Sequence, residues 1–279
     1  MNDIIACERI SYTYPAAGKP ALDQLSVRIP QGKKTALLGR NGSGKSTFFL
    51  QLLGLLQPDR GTIRFRGQPY PQSRRGLRDI REQIGLVFQD PEQQLILNTP
   101  SEDVSYGLRN AGVPELEIRD RVRRALDAMG LSEAADTPIH ALSLGQKKRV
   151  ALSGAMVMRP SVLLLDEPTA YLDRSTERAL LGELARIHEE EGVTMVMATH
   201  DMNLAYEWAD YCVVLRDGRC VMEGAPERVF AQDEPLRDWG LSRPAALELW
   251  GAVPARIRLG HSPPRSLSGL ESWMRAHLE

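Results

Sequence analysis

Short, nearly uninterrupted apolar blocks recur along this chain: Thr35–Leu38, Ile84–Phe88, Val162–Leu165, Thr194–Ala198 and Tyr211–Leu215. Blocks of that length without polar alternation fit strands covered on both faces, as in a parallel sheet. The N-terminal third reads differently. Residues 3–13 form an expected strand with Val27-Arg28-Ile29 as hairpin partner, and Thr62–Phe65 alternates like a half-buried strand. Pro58-Asp59-Arg60-Gly61 reads as a turn. Asp217-Gly218 is a hairpin signal that pairs Tyr211–Leu215 with Arg219–Met222. Between the apolar blocks the spacing becomes helical. Phe48–Leu53 reads as a buried helix, and a long helix is expected from about Arg174 to Glu191. Residues 101–159 read as mostly helical. Ser101 precedes one helix, and Leu116, Ile118, Val122, Leu126 and Met129 mark the stripe of a second.

These elements predict an α/β protein with one large domain over residues 1–225 and a helical subdomain at about 90–160. From Pro226 the composition shifts. Trp239, Trp250 and Trp273 lie in this tail, and Pro244, Pro254, Pro263 and Pro264 divide it. Residues 226–279 therefore read as a small, mostly helical extension.

The formal net charge is −1, so the chain has no global basic footprint for nucleic acid. Arg74-Arg75 and Lys147-Lys148-Arg149 read as solvated faces. No apolar run reaches the length of a membrane span, and Met1-Asn2-Asp3-Ile4-Ile5 lacks the pattern of a signal peptide. A cytoplasmic chain is expected. Cys7, Cys212 and Cys220 are widely spaced, as incidental thiols are. His140, His188, His200, His261 and His277 are scattered, with no metal-ligand spacing.

The chemistry centres on Gly39-Arg40-Asn41-Gly42-Ser43-Gly44-Lys45-Ser46-Thr47, between an expected strand and an expected helix. Strand, glycine-rich turn and helix carrying Lys-Ser form a phosphate-binding loop. Glycines let successive backbone N–H groups point at an anion, and the helix start adds free donors and partial positive charge. Lys45 would reach the β- and γ-phosphates, and Ser46 would hold Mg2+. Other candidates stand at strand ends. Gln89 follows the Ile84–Phe88 block, Asp166-Glu167 follows Val162–Leu165, and His200 follows Thr194–Ala198. Adjacent strand side chains point opposite ways, so Asp166 and Glu167 should do different jobs, one on the Mg2+ shell and one on a water. Leu142-Ser143-Leu144-Gly145-Gln146 is a polar helix start, either an ordinary cap or a phosphate contact. Tyr12 and Tyr14 are either half-buried strand residues or a platform for an adenine ring.

Taken in order, these motifs resemble the nucleotide-binding subunits of ABC transporters, over residues 3 to about 225. The resemblance implies the ABC type of P-loop fold, with an N-terminal antiparallel β subdomain. Gly39–Thr47 looks like Walker A and Leu163–Glu167 like Walker B, with Asp166 on Mg2+ and Glu167 as general base. Gln89 is similar to the family's Q-loop residue, Asp173 to its D-loop aspartate and His200 to its switch histidine. Tyr14 matches the adenine-stacking position. Ser143, Gly145 and Gln146 match the signature segment, which meets the partner subunit's ATP. That signature usually has glycine where this chain has Leu144. A leucine is accommodated if its backbone stays helical or extended and its side chain turns away.

A narrower resemblance rests on Phe88–Leu95 followed by Glu102-Asp103-Val104-Ser105-Tyr106-Gly107. It is to the ATPases of energy-coupling-factor importers, above all cobalt and nickel systems. It implies ATP and Mg2+ as ligands and a homodimer helped by the C-terminal extension. It also implies a transmembrane scaffold and, through it, a substrate-capture membrane protein. The transported metal would not touch this chain. Nickel or vitamin cargo is the nearer alternative; a soluble, non-transport ABC ATPase is the more distant one.

Overall fold

The computed structural model describes residues 2–15, 17–231 and 233–277. The chain opens with β1 (Asp3–Tyr12), β2 (Leu22–Pro30) and β3 (Lys34–Leu38), followed by α1 (Lys45–Leu52). Next come β4 (Arg60–Phe65), β5 (Gln68–Pro69), α2 (Arg74–Gln83) and β6 (Ile84–Val87). The helical insertion is α3 (Pro100–Asn110), α4 (Glu115–Ala128) and α5 (Leu144–Met156). Then follow β7 (Val162–Asp166), α6 (Arg174–Glu191), β8 (Thr194–Thr199), α7 (Met202–Trp208), β9 (Tyr211–Arg216) and β10 (Arg219–Gly224). The chain closes with α8 (Pro226–Val229), α9 (Asp233–Asp238), α10 (Ala245–Ala252), α11 (Ala255–Arg258) and α12 (Leu267–His277).

There are two sheets. One is antiparallel, in the order β2-β1-β4-β5. The other runs β10-β9-β3-β8-β7-β6; β9, β3, β8, β7 and β6 are parallel, and β10 adds an antiparallel edge. The apolar strands of this second sheet are covered on both faces. Leu38, Leu163, Leu165, Met195 and Met197 pack into one cluster with residues of α3 to α7. Their strand neighbours Leu37, Leu164, Val196 and Ala198 pack into another, with Phe48 and Phe49 of α1 and the inner face of the antiparallel sheet. Alternation of side chains across the strands produces this split.

Register aligns the strand ends. Leu38 pairs with Thr199, Asp166 with Ala198, and Val87 with Leu165. The residues after β3, β6, β7 and β8 thus emerge on one carboxyl edge, where ligands bind in open parallel sheets.

Several local expectations need correcting. β1 ends at Tyr12, and Arg60-Gly61 opens β4 instead of closing a turn. Ser101 lies inside α3; Thr99 is the cap, its Oγ1 accepting the Glu102 N–H at 3.3 Å, and Pro100 takes the first position. Proline suits that place because it has no N–H to leave unpaired. Two helices were not expected. In α2 only Ile80 is buried, so no apolar stripe announces it. α7 has only seven residues. Arg74 and Arg75 are exposed, as expected, but Lys147-Lys148-Arg149 is not a solvated run: Lys148 is 2% exposed, and Arg149 Nη1 donates to the Met129 carbonyl at 3.1 Å.

The extension is seated on α7. Phe230, Leu241 and Leu247 join the larger cluster, while Trp250, Val253 and Leu270 form a small one of their own. Asn203 Oδ1 accepts the Ala245 N–H at 2.8 Å, and Arg265 Nη1 donates to the Ala209 carbonyl at 2.7 Å. Among the described residues, no helix is long and apolar enough to cross a membrane.

Candidate active site

The loop after β3 is shaped by glycine. Gly39, Gly42 and Gly44 have φ of 150°, 80° and 106°, a region side chains avoid. A Cβ on Gly39 would also stand 2.4 Å from the Leu215 carbonyl oxygen. α1 begins at Lys45 with no side-chain cap and no acid in its first turn. Its free N–H groups are therefore available to an anion. Ser43 Oγ is buried without a hydrogen-bond partner. Lys45 is buried and arches back over the loop, donating to the Gly39 carbonyl at 2.7 Å and the Arg40 carbonyl at 3.3 Å. Burial lowers its pKa, against the opposing charges of Glu167 and Asp166.

Ser46 and Asp166 meet across the sheet edge, with Ser46 Oγ donating to Asp166 Oδ2 at 3.0 Å. Burial raises the Asp166 carboxyl, and the Ser46 hydrogen bond opposes that. A hydroxyl and a carboxylate held together beside a phosphate loop are hard oxygen donors of the kind Mg2+ takes. Gln89 follows β6 on the same edge and is half-buried, but no hydrogen bond joins its amide to Ser46 or Asp166 among the described residues.

Glu167 leaves β7 by a sharp turn. Its φ is +48°, its N–H donates to the Ala198 carbonyl at 3.0 Å, and it is 8% exposed. Its carboxylate turns to His200, whose Nδ1 lies 2.6 Å from Oε2. The two adjacent acids do face different partners: Asp166 meets the α1 side, and Glu167 meets the histidine after β8. Tyr14 stands beyond the end of β1, so it is not a strand residue. Its hydroxyl lies 3.2 Å from Thr47 Oγ1, and Tyr12 packs edge-on against its ring at 5.0 Å.

The remaining candidates lie elsewhere. Ser143 caps α5 through a complete capping box: its hydroxyl accepts the Gln146 N–H at 3.3 Å, and Gln146 Oε1 accepts the Ser143 N–H at 2.9 Å. Leu144 is the first helical residue, with no positive φ, and is 36% exposed. Gly145 packs against Thr176, whose Cγ2 would stand 2.5 Å from an added Cβ. Asp173 caps α6. It accepts from Ser175 Oγ and N and from Thr176 Oγ1 and N, and these bonds hold its carboxyl well below the usual range. Its carboxylate is thus committed to its own helix.

Sequence reasoning missed Lys148. Its Nζ donates to the carbonyls of Pro168 at 2.7 Å and Ala170 at 2.9 Å, directly after Glu167. A signal was present. Gly145, Lys148, Leu152 and Ala155 fall at helical spacing, and all four are buried. Gln94 was missed too. Its Oε1 accepts the Phe88 N–H at 3.1 Å while its Nε2 donates to the Ala151 carbonyl at 3.1 Å, tying the Gln89 loop to α5.

Comparison with known proteins places the fold and the family. The ABC transporter family model matches residues 22–170. The cobalt import ATP-binding protein CbiO of Rhodobacter capsulatus is 45% identical over 266 residues, covering 95% of this chain and 93% of that protein. The energy-coupling factor transporter ATP-binding protein EcfA3 of Clostridium perfringens is 43% identical, covering 86% and 84%. Among solved structures, CbiO1 of Clostridium perfringens, described as part of the CbiONQ transporter complex, superposes with a TM-score of 0.76 at 42% identity, covering 85% of this chain and 94% of that one. The ATP-binding cassette MJ0796, a dimer bound to ADP and phosphate, gives 0.72 at 29% identity, covering 80% and 98%. A phosphate loop, two acids and a histidine on one carboxyl edge, with relatives alike over nearly their whole length, place this chain in the ABC transporter family, as one of its ATPases.

Proposed function

We propose that this chain is the ATP-hydrolysing subunit of an energy-coupling-factor importer, most directly one for cobalt ions. The observation that carries the reading is the convergence of Lys45, Ser46, Asp166, Glu167 and His200 on one sheet edge beside an uncapped helix start. The 45% identity to CbiO over 266 residues supports the cargo. Residues 1–225 act as the ATPase domain, and residues 226–279 contribute to dimerisation. The dimer sits on the cytoplasmic face of the membrane, under a scaffold protein that contacts the substrate-capture component. The cargo ion passes through those partners and not through this chain.

Each residue has a part. Tyr14 stacks on the adenine. The loop from Gly39 through Thr47, with Asn41, Gly42, Ser43 and Gly44 between, wraps the phosphates with backbone N–H groups. Lys45 releases the Gly39 carbonyl and turns to the γ-phosphate. Ser46, Asp166 and Gln89 would hold Mg2+, which would supply charge neutralisation at the phosphates. Glu167 accepts a proton from the attacking water. The electron pair of the breaking bond leaves on the β-phosphate oxygen, and inorganic phosphate and ADP result. His200 holds the Glu167 carboxylate in place. Ser143, Gly145 and Gln146 of each chain close over the other chain's ATP, and Asp173 shapes the loop beside them. Ser143 keeps its hydroxyl proton for that purpose, because within its own helix it only accepts.

Glu167→Gln tests this. ATP binding should persist while steady-state phosphate release falls by at least about a hundredfold. In cells producing the membrane partners, the same change should abolish Co2+ uptake. Near-normal turnover in the purified variant would remove Glu167 from the role. Uptake of a different cargo with an intact ATPase would overturn only the cobalt reading.

A further inference from the structure

Lys148 lies on the second turn of α5, just past the Ser143–Gln146 cap. It is 2% exposed, and a buried ammonium is costly unless every N–H finds a partner. Its hydrogen bonds go to carbonyls, and the charges of Glu167 and Asp90 act on it as well. Nζ donates to the Pro168 carbonyl at 2.7 Å, the Ala170 carbonyl at 2.9 Å and, more distantly, the Glu167 carbonyl at 3.5 Å. All three belong to the turn that leaves β7. That turn is strained. Glu167 and Tyr171, at its two ends, have φ of +48° and +64°. Residues with side chains persist there only when the surroundings over-determine them. Lys148 contributes to that determination, beside the Glu167 N–H bond to the Ala198 carbonyl and the Ala170 N–H bond to the Glu167 carbonyl. By taking the backbone of the turn it leaves the Glu167 carboxylate to His200, at 2.6 Å.

The helix that carries Lys148 is itself braced. Lys147 pairs with Glu92 at 2.6 Å, and Gln94 links the Phe88 N–H to the Ala151 carbonyl. The start of α5 is thus tied to the Gln89 loop by these bonds and to the turn after Glu167 by Lys148.

We infer that Lys148 is a positioning residue for Glu167, aiming the base from the helix whose start faces the partner subunit's ATP. This rests on the role proposed above for Glu167 and on the dimer. It has a consequence for the pair of sites: ATP held at the start of α5 on one chain sets the base that serves that chain's own nucleotide. The two sites are coupled through one side chain.

The test uses the full-length dimer. Lys148→Met keeps the length and apolar stem but removes every donor, and Lys148→Gln returns a neutral amide with two N–H groups. Lys148→Met should lower kcat at least about tenfold, with KM for ATP and nucleotide affinity within about twofold. Lys148→Gln should recover part of kcat, and the Hill coefficient for ATP should fall toward one in both. In single-turnover experiments on a Glu167→Gln background, adding Lys148→Met should cost nothing more, because its effect passes through Glu167. The proposal is overturned by a folded Lys148→Met with normal kcat, or by an equal loss in both backgrounds. If Lys148→Met does not fold, Lys148→Gln in the same cycle decides by the same criterion. Full activity of Glu167→Gln alone would instead sink the base assignment beneath it.

Discussion

The chain contains two helix starts that the motifs assign to phosphate, and they are built in opposite ways. α1 begins with no side-chain cap, no acid, three glycines at positive φ and a lysine folded over the loop. α5 begins with a finished capping box and ordinary backbone through Leu144 and Gly145. The first leaves its N–H donors unsatisfied, so an anion that arrives completes the helix. The second has its Ser143 and Gln146 N–H groups paired by the box, and leaves the first-turn N–H groups of Leu144 and Gly145 and the Ser143 hydroxyl proton for a ligand. One helix start has no side-chain partner for its donors, and the other has two of its donors already paired. The difference also explains Leu144. Where no positive φ is required, a leucine can replace glycine at little backbone cost.

The contrast can be broken most forcefully at Gly39. Gly39→Ala places a Cβ against the Leu215 carbonyl oxygen, at 2.4 Å, on backbone that cannot swing aside. ATP affinity should fall by more than about a hundredfold, about 2.7 kcal/mol, in a fluorescent-nucleotide titration. Retained affinity would mean that the loop does not hold phosphate through its present backbone.

The α5 half should respond otherwise. Leu144→Asp puts a negative charge at the helix start proposed to face the partner's triphosphate. ATPase activity of the dimer should fall by more than about tenfold, while nucleotide affinity of the isolated subunit stays as it was. A matched loss of affinity would show that the two halves belong to one chain's site. The smallest effect is expected from Leu144→Gly, below about tenfold or 1.4 kcal/mol in barrier. If a steady-state assay finds Leu144→Gly and Leu144→Asp equally tolerated, α5 does not face phosphate, and the comparison loses its second half.

Much of the P-loop half is legible in the amino-acid order, for a local reason. Residues 39–47 are contiguous, and Gln89, Asp166 and His200 each end an apolar block. Strand ends are read from hydrophobic runs, and a parallel sheet brings such ends to one edge. The order of the blocks is therefore enough to gather the phosphate loop, the acids and the histidine. The antiparallel hairpins are legible by alternation and turn chemistry in the same way. The C-terminal extension is legible only as a change of composition. Its placement on α7, through Asn203 and Arg265, depends on pairings between residues 42 and 56 positions apart.

What the amino-acid order determined by itself was the backbone plan: which runs become strands, where glycine must turn the chain, and which polar residues arrive at strand ends. Tertiary structure alone decided the use of the polar groups. A run of basic residues reads as solvated until the phase of α5 turns Lys148 onto three carbonyls 19 to 22 residues away. Glu167 and His200 are unrelated in sequence until two neighbouring strands bring them to 2.6 Å. The physical reason is range. Propensity and periodicity act over a few residues, whereas a buried donor or acceptor takes whichever partner the fold carries to it.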